Sequence, residues 1–201
     1  MTANNEIELE NRIALHAFLS SVFLTLPDEA LLDSLLSLER EAGDSAGCNE
    51  IAAYAAAQAG RDREEVLLEL GRDRARLVRG ANNEGMQPPY ESLYLGMKAS
   101  GESIGSLNRF YADAGYALAE DMHDTVEQIG VELAFVQLLM EKELAALRDG
   151  DEAAAGQWAD IRSHFTSQHL GRWARGYASA MRAHAQTGFY RGVALLIEEA
   201  A

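Results

Sequence analysis

The sequence predicts an all-α protein, and three observations carry that prediction. Alanine (34) and leucine (26) far outnumber valine, isoleucine and threonine (7, 7 and 5), which is the usage of helices rather than sheets. The three prolines, Pro27, Pro88 and Pro89, fall where other signals also break the helical pattern. Between those breaks, apolar residues recur at spacings of three and four. With 201 residues, 48% of them apolar, the chain can bury a real core. The expected architecture is a single-domain helical bundle of about nine to eleven helices.

The first helix is expected from about Glu6 to Thr25, with Leu15, Leu19, Val22, Phe23 and Leu26 sharing a face until Pro27 stops it. Asp28 caps a second helix that turns Leu31, Leu32, Leu35 and Leu36 inward and ends near the Gly43–Gly47 loop. Two more follow, one through Ile51–Ala59 and one from about Asp62 to Arg79. Residues 80–90 hold two glycines, two asparagines and a Pro-Pro pair, so they form a constrained loop. A short helix through Leu93–Lys98 comes next, then a helical run to about Ala119 and a polar break in which Asp124 is placed to cap the following helix. That helix carries Ile129, Val131, Leu133, Phe135, Val136, Leu138, Leu139 and Met140, and is apolar enough to lie inside a bundle. The last third gives helices around Ala153–Ile161, Phe165–His184 and Phe189–Glu199.

Composition excludes several functions. A net charge of −15 repels phosphate backbones and anionic lipid surfaces, so nucleic acid is not an expected partner. No apolar run approaches the roughly 20 residues of a membrane span, and the first residues lack the basic start and apolar stretch of a secretory signal. A cytoplasmic protein without stable membrane insertion is expected. The one cysteine, Cys48, makes no internal disulfide and no zinc ribbon. The charge is unevenly spread, −10 over residues 1–70, +1 over 71–119, −9 over 120–160 and +3 over 161–201. The two acidic stretches could frame a cation site, and a solvated acidic surface explains them equally well.

Catalytic and metal signatures are weak. His164 and His169 are five apart, about 140° around a helix, which makes them poor co-ligands. Glu120 and His123 have the spacing of a carboxylate-bridged metal site, but a bundle site of that kind needs a second copy and none exists. No phosphate-binding loop, dinucleotide fingerprint or nucleophile elbow is present. No catalytic residue, metal ligand or resident cofactor is therefore assigned. An N-terminal helix-turn-helix is opposed by the acidity of the first 70 residues.

Three motifs line up in order. Asp73-Arg74-Ala75-Arg76-Leu77-Val78-Arg79-Gly80 is followed by Pro88-Pro89-Tyr90-Glu91-Ser92-Leu93-Tyr94; then come Ile129-x-x-Glu132-Leu133-x-Phe135 and Phe165-x-x-x-His169-Leu170-x-x-Trp173, with Tyr177 one turn later. Together they resemble the TorD/DmsD/NarJ family of redox enzyme maturation proteins, the cytoplasmic chaperones of molybdoenzymes, over about residues 10–180. The resemblance implies a TorD-like helical chaperone over 1–201, with an N-terminal part over about 1–119, a hinge near 120–128 and a C-terminal part over about 129–201. It also implies no turnover: the protein would bind the twin-arginine signal peptide or the apo form of a molybdopterin-dependent oxidoreductase subunit and delay export until the cofactor is inserted. Some members are reported to bind guanine nucleotides or to form domain-swapped dimers. Neither is tested by these residues, so a monomer and a swapped dimer both stay open. The chain departs from the family pattern at Glu127-Gln128, where Asp-His is common, and at Arg74, Ala75 and Val78, where Tyr, Thr and Phe are more usual.

A receptor for a twin-arginine peptide needs carboxylates beside an apolar groove. Leu77, Val78, Tyr90 and Tyr94 are the candidate groove residues, with Asp124 and Glu127 the candidate partners of the client's arginines. Ordinary packing explains the first four as well, and helix-dipole stabilisation explains Asp124. Arg76, Gly80, Pro88, Pro89, Glu91, His169 and Trp173 are read as structural: Arg76 and Glu91 as a pair holding the Pro-Pro loop, His169 and Trp173 as core positions on one helix face. The competing readings are a metal-dependent nucleotide hydrolase around His123 and Asp124, and a non-catalytic helical scaffold.

Overall fold

Short polar residues set where helices begin in this chain. Asp28, Ser45, Asp62 and Asp151 each accept a hydrogen bond from the backbone N–H three residues on, at 2.8, 3.1, 3.1 and 2.9 Å, satisfying donors that the first turn leaves unpaired. The structure is a computed structural model that describes residues 3–38, 45–81, 86–96, 101–117 and 125–200, with the backbone alone at 3–4 and 101–103. It is 79% helical and has no strand among the described residues. The ten helices there are α1 (Ala3–Leu24), α2 (Glu29–Leu36), α3 (Ala46–Ala57), α4 (Arg63–Arg79), α5 (Glu91–Tyr94), α6 (Gly101–Asp113), α7 (Ile129–Arg148), α8 (Glu152–Gln168), α9 (Leu170–His184) and α10 (Gly188–Ala200).

Several boundaries differ from expectation, and each has a local cause. Asp124 lies outside the described residues, and the N-cap of α7 is Gln128, whose Oε1 accepts from Gly130 N at 2.5 Å and Val131 N at 3.3 Å. Residues 120–124 of the expected hinge, His123 included, also lie outside the described residues. The break expected between Ile161 and Phe165 is absent: α8 runs unbroken to Gln168, and the chain bends instead at His169 (φ −121°, ψ −98°). Gly171 permits this elbow, because a Cβ there would sit 2.8 Å from the Thr166 carbonyl oxygen. His169 and Trp173 therefore do not share one helix; His169 caps α8 and Trp173 lies in the first turn of α9.

The chain divides into two compact units, each assembled from separate stretches. Unit one comprises Met1–Leu24, Tyr90–Trp173 and Ala200–Ala201. In it α7 packs against both α1 and α8, which is why its sequence is apolar nearly all round. Phe135 and Phe165 meet edge-on at a 4.7 Å centroid distance, with Tyr111 4.7 Å from Phe135. Unit two comprises Thr25–Pro89 and Ala174–Glu199. Leu70, Leu77, Val78, Tyr177, Phe189 and Val193 are among its buried side chains. No described helix is long and apolar enough to cross a membrane.

Candidate functional site

In unit one the sequence motifs converge on a group of buried acids. Glu91 begins α5, Glu127 precedes α7, Glu132 lies in the first turn of α7, and all three are buried, Glu132 completely at 0% exposure. Such burial is unusual for carboxylates, so their partners decide what they do. The Glu127 carbonyl accepts from Glu91 N at 3.1 Å and its Oε2 accepts from Ser92 N at 3.0 Å, so this side chain caps a helix whose own N-cap, Tyr90, has none to offer. A backbone bridge between Tyr90 and Gln128 and the Tyr111 hydroxyl donating to the Val126 carbonyl at 2.8 Å hold the same segment.

His169 reaches this group from the α8–α9 elbow. Its Nδ1 lies 3.0 and 3.1 Å from the two Glu91 oxygens, and its Nε2 3.2 Å from Ser106 Oγ. A carboxylate accepts, so Nδ1 donates to Glu91, and Ser106 Oγ is the hydrogen-bond partner of Nε2. Trp173 Nε1 donates to Glu132 Oε2 at 3.3 Å, while Glu132 Oε1 has no partner. Burial pushes the Glu132 carboxyl well above the ordinary carboxylate range, the charges of Glu91 and Glu127 push the same way, and the indole N–H opposes them. Glu132 is thus pushed toward its protonated form, and the group binds helices together rather than offering a charge to solvent.

The surface beside it is apolar. Leu93 is 44% exposed, Tyr90 and Tyr94 are half-buried, and Tyr94 stacks 5.7 Å from Trp173. A second feature of unit one is a groove of about 550 Å³ between α1 and α7. Ile13, Ala14, Leu144 and Ala145 line it, and Glu10, Glu141 and Asp149 fringe it against, among the described residues, a single cation, Arg148, which is paired with Glu10.

Unit two holds the first motif around Asp73, which is also buried. Its oxygens accept from Gln186 N (3.0 Å), Thr187 N (2.8 Å) and the Thr187 hydroxyl (2.8 Å), and Arg76 lies at 3.1 Å. Arg76 also donates to the His184 carbonyl at 2.9 Å. Arg76 is thus a partner of Asp73 and His184 within unit two, and Glu91 of His169 within unit one. Gly80 ends α4 in the left-handed region (φ 70°), while Pro89 is buried and Pro88 half-buried at the end of the loop. Leu77 and Val78 are each 1% exposed, on the inward face of α4, so neither lines a surface groove. Glu127 is likewise turned inward and engaged with Ser92, not held out for an arginine.

Two of these acids differ in how legible they were. Glu132 sits in the most apolar stretch of α7, which is the signal that could have marked it as a buried acid. The capping role of Glu127 was not legible, because it joins residues 35 apart in the chain.

A family profile described as the nitrate reductase delta subunit matches residues 41–179, which contain Asp73, Glu91, Glu127, Glu132 and His169. The chain belongs to the nitrate reductase delta subunit family. This NarJ/TorD-type family consists of non-catalytic chaperones of molybdoenzyme maturation, whose partners are molybdoenzyme subunits. Searches of curated proteins and of solved structures return no match. In this delta-subunit-type chain, the matched span runs through the motif residues of both units and stops within α9.

Proposed function

We propose that this protein binds, in the cytoplasm and without turnover, the twin-arginine leader or the apo form of a molybdopterin-dependent oxidoreductase subunit, and delays its export until the cofactor is inserted. The observation that supports this reading is the α1–α7 groove, an apolar floor with three carboxylates against one guanidinium. A twin-arginine segment carries two guanidinium groups followed by an apolar stretch, the complement of such a surface. An exposed arginine–carboxylate pair contributes about 0.2–1 kcal/mol, so two pairs do not hold a peptide. Burying on the order of 400 Å² of apolar surface contributes roughly 10 kcal/mol before ordering costs. The floor therefore supplies the grip, and the acids Glu141 and Asp149 supply the choice. Tyr90 and Tyr94, flanking exposed Leu93, extend the client surface on α5.

The test is calorimetric titration with synthetic twin-arginine leaders, alongside co-purification with apo-oxidoreductase subunits. A leader should bind, replacing its two arginines by glutamine should weaken it, and the Glu141→Lys/Asp149→Lys double variant should weaken it about tenfold, roughly 1.4 kcal/mol. If neither a leader nor an apo-subunit associates, the reading fails.

A further inference from the structure

We propose that the pocket formed by α1 and the α8–α9 elbow in unit one binds a small phosphate-class oxyanion. The cavity holds about 390 Å³, within the range of small-molecule sites. Arg12 enters it from α1, Arg162, Ser163, Thr166 and Ser167 from the end of α8, and Arg172 from the first turn of α9. Among the described residues no carboxylate side chain lines it, in a chain whose net charge is −15. Glu143, beside the pocket, pairs with Arg162 at 2.9 and 3.1 Å. Subtracting that pair leaves two guanidinium charges, those of Arg12 and Arg172. Both are exposed, and neither is engaged by a carboxylate among the described residues; Arg172 makes a 3.5 Å contact to the Gln168 carbonyl.

The elbow places the start of a helix beside these side chains. Because the chain turns at His169 and restarts a helix at Leu170, the pocket lining at Leu170 and Gly171 belongs to the first turn of α9, which carries the positive end of a helix dipole, next to the last turn of α8. That turn contains no acidic residue. Buried His16 also lines the cavity; burial lowers its pKa, its Nδ1 contact with the Arg12 carbonyl opposes this, and the charges of Arg12 and Arg162 lower it further. Its ring is therefore neutral at neutral pH and leaves the two free arginines to set the charge. Forked guanidinium donors and the Ser163 and Thr166 hydroxyls suit the several oxygens of a phosphate group, while the Ser167 hydroxyl donates to the His164 carbonyl at 2.9 Å. No Phe, Tyr or Trp lines the pocket to stack a base, so the ligand is defined by its oxyanion.

The full chain is titrated with inorganic phosphate and with pyrophosphate, by calorimetry and ³¹P line width, at constant ionic strength with chloride as the control. Both should saturate a single site, pyrophosphate more tightly because it engages both free guanidinium groups. The Arg12→Gln/Arg172→Gln double variant should weaken binding at least tenfold while its thermal unfolding matches the parent, and Arg109→Gln on α6 should bind as the parent does. A response no larger than that of chloride, or a double variant that binds like the parent, overturns the proposal. Leader binding is read separately, so either proposal can fail alone.

Discussion

Asp73 in unit two and Glu132 in unit one are both buried acids in helices, yet their surroundings are opposite. Asp73 accepts from two backbone N–H groups and a hydroxyl and faces the Arg76 guanidinium. Glu132 has one 3.3 Å bond from an indole, an oxygen without a partner, and two other carboxylates close enough to raise its pKa. A buried acid is accommodated in one of two ways: surrounded by donors that would be stranded without it, or left protonated among few partners. The first ties the α9–α10 connection to α4; the second shifts the acid toward its protonated form.

The largest test of this contrast is Asp73→Ala. It strands Gln186 N, Thr187 N, the Thr187 hydroxyl and a half-buried guanidinium, and should cost on the order of 3–5 kcal/mol in denaturant unfolding. A loss below about 1 kcal/mol would erase the distinction between the two acids. Gly171→Ala comes next, with a Cβ directed at the Thr166 carbonyl 2.8 Å away. It should cost about 1–3 kcal/mol by the same measurement, because the elbow that brings His169 to Glu91 and Trp173 to Glu132 has to open. Gln128→Ala removes the cap of α7 one turn before Glu132 and should cost about 1 kcal/mol.

Glu132→Gln should be the mildest change, within about 1 kcal/mol of the parent at pH 5, since burial favours the protonated carboxyl that the amide imitates. Its effect lies in the pH dependence. Above the ordinary value near 4.5, the unfolded carboxyl has lost its proton while the folded one, raised by burial, has kept it. The unfolded state then binds fewer protons, so parent stability falls as pH rises, by up to about 1.4 kcal/mol per pH unit until the folded group ionises. In the glutamine variant this contribution to the slope should vanish, and unfolding curves from pH 5 to 8 read it directly. An unchanged slope would mean that Glu132 is ionised in the fold.

Much of the fold was legible because its signals are local. Asp28 was expected to cap a helix and does so, the helix expected from about Asp62 to Arg79 is α4, and Pro27 follows the end of α1. The apolar run from Ile129 marked α7 as interior. The site was less legible. Leu77 and Val78 were expected at a groove and are buried, because a helix face with apolar residues meets whichever neighbour the fold supplies. The His169 bend was also hidden: the sequence around it contains no proline, and Gly171 alone does not announce a break.

Caps, breaks and the amphipathic or wholly apolar character of each helix follow from residues three or four apart, and those relations are written in the chain order. The meeting of Glu91 with His169 across 78 residues, of Glu127 with Ser92 across 35 and of Glu132 with Trp173 across 41 is not. These pairings exist because α5, α7 and the α8–α9 elbow are packed into one unit. Packing also turned Glu127 inward and left Arg12 and Arg172 facing a common cavity. Whether a charged side chain serves as a cap, a buried proton carrier or an open cation depends on the neighbours and the water around it, and long-range contacts set both.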